Sequence, residues 1–297
     1  MLFNKFLKER RSTREYTNKS VEKEKIERLM NYADRLEQSS EDIRFIFFED
    51  GSRVFDKLEG KGGYSGVMIK APHYIGLQLD NDNSKTVLKS AYEMETLLTK
   101  AYQMNLGTCW INIKDAPYDV KKELMQGQNK HMDYIIALGY SKNKGTLSKI
   151  STSDGLEKED VGYLNTIRSF GEKKYYVEDS TSSRLSIEEI VFNGEFGKSI
   201  DTEELDRRGL DELFYYIRFA PSNMNKQPWR FILKNDKVLL SIIDPTNKNN
   251  MIDGGIMMYY FEEMAKSIGF KSVWQIWDGK IHTSDNVEYK ILGEYKL

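Results

Sequence analysis

Residues 220–229 read Ala-Pro-Ser-Asn-Met-Asn-Lys-Gln-Pro-Trp. Between Pro221 and Pro228 stand Ser222, Asn223, Asn225 and Gln227. Their hydroxyl and amide groups both donate and accept hydrogen bonds. Proline fixes φ and pushes the preceding residue toward an extended conformation. The helical run Leu213, Tyr216, Ile217, Ala220 should therefore stop near Ala220, ahead of a strand at Phe231-Ile232-Leu233. A stiff loop of uncharged donors and acceptors suits a ligand rich in carbonyls, ring nitrogens and hydroxyls. The same residues also describe a loop that caps its own backbone.

A second cluster is Arg10-Arg11-Ser12-Thr13-Arg14. A guanidinium donates two parallel hydrogen bonds while supplying charge, which suits phosphate. Alternate residues of an extended segment share a face, so Arg10, Ser12 and Arg14 can address one ligand. Taken alone, the cluster reads better as a solvated basic N-terminus.

Composition narrows the classes. The 297 residues carry 44 Lys plus Arg against 46 Asp plus Glu. No strongly basic face follows, so nucleic acid is not the expected partner. No apolar run approaches the ~18 residues that span a membrane, and residues 1–14 lack the apolar core of a signal peptide. The single cysteine, Cys109, excludes an internal disulfide and suits a cytoplasmic setting. It lies between Thr108 and Trp110 in an apolar run, as a packed thiol does. His73, His131 and His282 have no partner at ligand spacing, so no metal site is expected. Gly-x-Ser-x-Gly, Walker-type and Gly-x-Gly-x-x-Gly motifs are missing from the sequence.

Several elements must position these residues. Ser20 and Glu24 open a helix with an apolar face at Ile26, Leu29, Met30 and Ala33. Strands are expected at 44–48, 71–77, 110–111 and 134–138, and a long helix at 91–104. Gly60, Gly62, Gly63 and Gly66 make a flexible stretch around Tyr64. Residues 141–182 are polar and read as a linker, which gives a first half at 1–150, a linker at 151–182 and a second half at 183–297.

The two halves repeat each other. Ile26, Leu29, Met30 and Ala33 align with Leu213, Tyr216, Ile217 and Ala220 at one offset. Arg44-Phe45-Ile46 echoes Arg230-Phe231-Ile232. Ala101 and Trp110 stand 164 residues before Ala265 and Trp274. Leu138-Gly139 echoes Leu292-Gly293. The copies diverge in a complementary way. The first keeps the arginine cluster where the second reads Ile190-Val191-Phe192-Asn193-Gly194, and the second keeps the proline-bounded loop.

The loop at 221–229 resembles the Pro-Ser-x-x-Asn-x-Gln-Pro-Trp loop of the FMN-dependent nitroreductases, and Arg10-Arg11-Ser12-Thr13-Arg14 resembles their N-terminal Arg-Arg-Ser-x-Arg signature. Leu106-Gly107-Thr108-Cys109-Trp110-Ile111-Asn112 resembles their Gly-x-Gly-x-Cys-Trp-Ile-Gly segment, with Asn105 and Asn112 where glycines are common. Gly139-Tyr140 with Lys144 and Lys149 resembles their Gly-Tyr-Pro segment and trailing basic pair, without the proline. The resemblance covers nearly the whole chain. It is closest to a fused branch, in which two degenerate copies in one chain form an intramolecular pseudo-dimer.

That resemblance implies an α+β nitroreductase fold, with a mixed sheet in each half, in a monomer acting as a pseudo-dimer. It implies that Arg10, Arg11, Ser12, Arg14 and Lys149 bind the FMN phosphate. Pro221, Ser222, Asn223 and Asn225 would touch the flavin ring and ribityl chain, and Tyr64 the pyrimidine edge. Backbone N–H groups at Ile111 and Asn112 would face flavin N5. The implied activity passes a hydride from NAD(P)H to a small-molecule electron acceptor such as a nitroaromatic or quinone, with no catalytic acid–base pair from the protein. A flavin-delivery protein would share the same binding motifs, and a purely structural interaction protein would share none of the chemistry.

Overall fold

The computed structural model describes residues 2–128, 130–142 and 184–297, together with the backbone of 164–168 and 174–178. The first elements are α1 (Phe3–Glu9), α2 (Lys23–Gln38), β1 (Ile43–Phe48), α3 (Gly51–Leu58), β2 (His73–Leu79), α4 (Ser84–Gln103), β3 (Gly107–Asn112), α5 (Tyr118–Leu124) and β4 (His131–Gly139). Next come β5 (Leu164–Arg168), β6 (Lys174–Glu178), α6 (Ile187–Ile190), β7 (Val191–Asn193), α7 (Thr202–Arg207) and α8 (Asp211–Ile217). The last are β8 (Trp229–Leu233), β9 (Lys237–Ile243), α9 (Lys248–Ser267), β10 (Gln275–Ile276), β11 (Ile281–Ser284) and β12 (Val287–Lys296). Two expectations shift. The helix read from Ser20 and Glu24 begins at Lys23, after Glu22, whose side chain makes no cap bond. The polar stretch read as a linker carries β5 and β6, paired antiparallel from Leu164↔Glu178 to Arg168↔Lys174. Tyr175-Tyr176-Val177 is strand-favouring sequence that the surrounding charges obscured.

The chain forms two interleaved compact units, one of residues 11–82 and 96–182, the other of 1–10, 83–95 and 183–297. In the unit containing 11–82, the sheet order is β1-β2-β4-β3 and every pair is antiparallel. Strand β2 is buried along its full length, so its apolar residues run on without alternating. Buried His73 is spent structurally: its Nε2 accepts the Val21 N–H at 3.1 Å while Nδ1 lies 2.7 Å from the Glu49 carbonyl. That pattern assigns the neutral Nδ1–H tautomer. Cys109 packs in the core with Tyr16, Tyr74 and Ile135.

In the other unit the sheet order is β10-β12-β9-β8-β7, with β11 hairpinned onto β12. Only the β7·β8 pair is parallel. The expected mixed sheet is thus found in this unit, while its counterpart is purely antiparallel. There residues 13–17 touch the sheet by single bonds, such as the Tyr16↔Ser141 bridge, and do not add a strand. In both sheets the first long strand pairs with the second, the second with the fourth and the fourth with the third, leaving aside β7 and β11. In both, a 20-residue helix, α4 or α9, joins the second strand to the third.

Helix α9 is buried on nearly every side, from Asn250 to Glu262 and beyond. Phe6 stacks on Tyr260, and Phe261 stacks on Phe231 of β8. The start of α4 crosses α9 at Gly255, where an added Cβ would lie 2.2 Å from the Leu88 carbonyl oxygen and 2.8 Å from the Ala91 Cβ. Glycine is required there because backbone meets backbone. No helix among the described residues is long and apolar enough to cross a membrane.

Candidate functional site

Helix α8 ends as the prolines dictate. The Phe219 and Ala220 amides bond back to Tyr216 and Ile217, and the chain turns extended at Ser222. A single 3-10 turn, Asn223–Asn225, follows. Met224, Asn225 and Gln227 all hold positive φ, at 53°, 56° and 48°. Such backbone is uncommon outside glycine, and methionine gains nothing local from it. The surroundings hold it there. The Gln227 N–H donates to Ser222 Oγ at 3.0 Å, and its buried side chain donates to the Asn225 carbonyl and accepts from the Leu185 N–H. Arg184 reaches the Ala220 carbonyl at 2.8 Å, and Arg230 reaches the Gln227 carbonyl at 2.9 Å. Trp229 beneath the loop is fully buried, while Met224 is exposed. Pro221, Ser222, Asn223 and Asn225 are half-buried.

One anchor comes from α9. The Asp253 carboxylate accepts the Asn223 N–H through both oxygens, at 2.9 and 3.1 Å. Burial pushes this carboxyl up from 3.8 to about 8, against the Asn223 hydrogen bond and the charge of Lys226. Sequence reading missed Asp253. Its signal was an acid inside the otherwise apolar run from Met251 to Tyr260. The same helix carries Glu262, which accepts from Tyr92 Oη at 2.9 Å and from the Trp274 N–H at 3.2 Å and pairs with Lys266.

The arginine cluster divides at the unit boundary. Arg10 caps α1, and its charge acts on buried Tyr260, which donates to Glu95 at 2.8 Å. Arg11 to Arg14 belong to the other unit. There the Thr13 N–H donates to the Thr108 carbonyl at 2.9 Å, and Thr13 packs so closely on Gly107 that a Cβ at Gly107 would lie 2.4 Å from Thr13 Oγ1. Arg11 is exposed, while Ser12 and Arg14 are half-buried. The Arg14 guanidinium reaches the Ser12 carbonyl only at 3.5 Å, and among the described residues no carboxylate meets it.

Strand β3 is the edge of its sheet, and an outward carbonyl is taken at each end. Thr108 takes Thr13, and the Asn112 carbonyl takes the Gly63 N–H at 2.8 Å. Because Ile113 donates to Asp133 in the strand-following turn, alternation directs the Ile111 N–H toward β4 and the Asn112 N–H away from it. The Gly63 bond brings the Tyr64 loop to this end of β3. Tyr64 is exposed, and its loop is closed by Gly60 N–H to Gly66 and Val67 N–H to Tyr64 bonds, so it is tied at its base. At the opposite end, Lys142 N–H bonds to Glu15 and Thr17 N–H to Tyr140, which lays residues 15–17 beside the end of β4. Tyr140 itself bonds with Glu22 and Lys25, and hydrogen bonds from Lys19 first and Tyr140 second hold the Glu22 carboxyl down at about 2. Lys144 and Lys149 lie outside the described residues.

These features define an α+β protein with a four-stranded and a six-stranded sheet and a polar, proline-bounded loop. The family described as "Putative TM nitroreductase" matches residues 3–265, and the chain belongs to it. At the level of that family it is a flavin oxidoreductase. A solved Thermotoga maritima protein, itself described as a "putative nitroreductase", is similar at 15% identity over 98% of this chain and 94% of its own, with a TM-score of 0.54. An FMN-dependent nitroreductase from Clostridium difficile is similar at 24% identity over 54% of this chain and 98% of its own, with a TM-score of 0.41. A Clostridium acetobutylicum protein described as a "putative NADH oxidase" is similar at 30% identity over 46% of this chain and 86% of its own, with a TM-score of 0.38. No curated protein matches the sequence.

Proposed function

We propose that this protein binds FMN and passes a hydride from NAD(P)H to a small organic acceptor, such as a nitroaromatic or a quinone. The carrying observation is the proline-bounded loop, held in left-handed backbone by its neighbours and by Asp253, in a chain of the nitroreductase family. The donor set fits the cofactor. A half-buried Arg14 without a carboxylate partner among the described residues suits a phosphate. The uncharged groups of Ser222, Asn223 and Asn225 suit a flavin ring and its ribityl hydroxyls. FMN, when bound, supplies the two-electron chemistry. The chain's residues then bind and orient. As the family resemblance implies, Arg10, Arg11, Ser12 and Arg14 would take the phosphate, Pro221, Ser222, Asn223 and Asn225 would line the ring, and Tyr64 would meet its pyrimidine edge. Of the two backbone positions expected to face N5, Asn112 has its N–H directed away from β4, which favours it over Ile111. The single cysteine, Cys109, suits a cytoplasmic setting.

We also read the chain as a duplication, with 1–150 and 183–297 as its copies and one flavin per chain in a monomer. Three things support this: the shared strand order, the matching 20-residue helices, and the crossing at Gly255. At the 164-residue offset Gly255 is the counterpart of Ala91, which it touches. A residue meeting its own equivalent is the mark of a two-fold relation.

The test is an absorbance spectrum followed by anaerobic titration with NADH and NADPH. Oxidised-flavin absorbance that bleaches on addition and returns with an acceptor is the expected result. Flavin that binds but does not bleach would favour a delivery role. Arg14→Ala should weaken FMN roughly tenfold or more, since charge-assisted hydrogen bonds contribute about 1.5–3 kcal/mol. Riboflavin, which lacks the phosphate, should bind nearly unchanged. Equal losses for both ligands would make Arg14 a support of the fold.

A further inference from the structure

Resting on the flavin reading of the loop, we propose that Asp253 is its positioning residue: the carboxylate grips the Asn223 N–H and thereby fixes the loop that presents Ser222, Asn223 and Asn225. The grip is bidentate, at 2.9 and 3.1 Å, and comes from a side chain only 1% exposed on α9. It enters at the first residue of the 3-10 turn, just before the left-handed Met224 and Asn225. A backbone so unfavourable persists only where its surroundings over-determine it. Ser222 and Gln227 tie the two ends of the loop together, and Asp253 adds a brace from α9 at its near end. Lys226, on the loop, is the charged neighbour that favours the ionised carboxyl, and burial opposes it. Retaining a buried acid here is costly unless its hydrogen bond serves a purpose.

Ionisation makes both oxygens acceptors, and a charged acceptor bonds about twice as strongly as a neutral one. The grip therefore tightens as pH rises through about 8. The experiment compares the full-length protein with Asp253→Asn, which keeps the volume and removes the charge. FMN affinity is titrated by flavin fluorescence from pH 7 to 9.5, and amide hydrogen exchange over 222–227 is followed without ligand. Wild-type affinity should rise roughly fivefold across that window. The variant should show a flat profile and faster exchange in the loop. Asn223→Pro deletes the donor from the other side, and Ser222 is already extended as a residue before proline must be (φ −141°, ψ 162°). It too should flatten the pH profile. Matching pH profiles and matching exchange in wild type and Asp253→Asn would overturn the positioning role. If the wild type binds no FMN while exchange still quickens in the variant, the flavin reading fails and the loop brace stands.

Discussion

Gly255→Ala is expected to cost about 3 kcal/mol of stability, while Gly254→Ala, one residue earlier on α9, should stay within about 1 kcal/mol of the parent. Both changes relieve a mid-helix glycine and gain about 1 kcal/mol of helix propensity. What separates them is the obstacle each new methyl meets. At Gly254 it is the Leu292 Cδ1, 2.5 Å away and at the end of a rotatable side chain. At Gly255 it is the Leu88 carbonyl oxygen at 2.2 Å, part of the α4 backbone. A helix backbone cannot swing aside, so α4 and α9 would have to part, loosening the aromatic packing around Tyr259 and Tyr260. Urea unfolding of both variants checks this. Equal midpoints for the two would mean that the helices do not meet as described.

Asp253→Asn is expected to become more stable than the parent as pH rises. The carboxyl is raised from 3.8 to about 8 in the folded protein, so between those values the folded state holds a proton that the unfolded chain has lost. Stability tied to that proton is fully present below about pH 4 and declines until about pH 8. The slope approaches 1.4 kcal/mol per pH unit, giving about 4 kcal/mol between pH 5 and 8. The asparagine variant carries no such proton. The difference in unfolding free energy between variant and parent should therefore widen across that window and level off above it. A difference independent of pH would show that the carboxyl is ionised throughout. This cost falls on the same side chain that braces the loop, the kind of trade expected where local structure serves a ligand.

Much of this was legible in the sequence, for identifiable reasons. The prolines at 221 and 228 mark the loop because they act through φ and a missing N–H, which neighbours cannot override. Strand β2 was found because an uninterrupted apolar run has few other uses. The brace from Asp253 was not legible, because it joins positions 30 residues apart through a backbone N–H that has no letter in the sequence. The crossing at Gly255 was hidden likewise: a glycine inside a helix signals close approach but not to what. Helix α1 was not legible because Lys5, Lys8 and Arg10 make the segment read as charged, whereas Phe3, Phe6 and Leu7 are what it buries. The division of Arg10 from Arg11 between two compact units was also beyond the sequence, since alternation along an extended segment assumes that the segment stays in one piece.

The position of β12 has a consequence for how the chain is made. It is an inner strand, paired with β9 on one side and β10 and β11 on the other, yet it is the last of these elements to leave the ribosome. The compact unit it completes also draws on residues 1–10 and 83–95. Those early segments, with Phe3, Phe6 and Leu88 on them, are synthesised long before their partners exist. The sheet of the other unit has all four strands in hand once β4 emerges. The first sheet can therefore pair while the chain is still growing, whereas the second lacks an inner strand until β12 emerges. In that interval the growing polypeptide is open to chaperone capture and to aggregation.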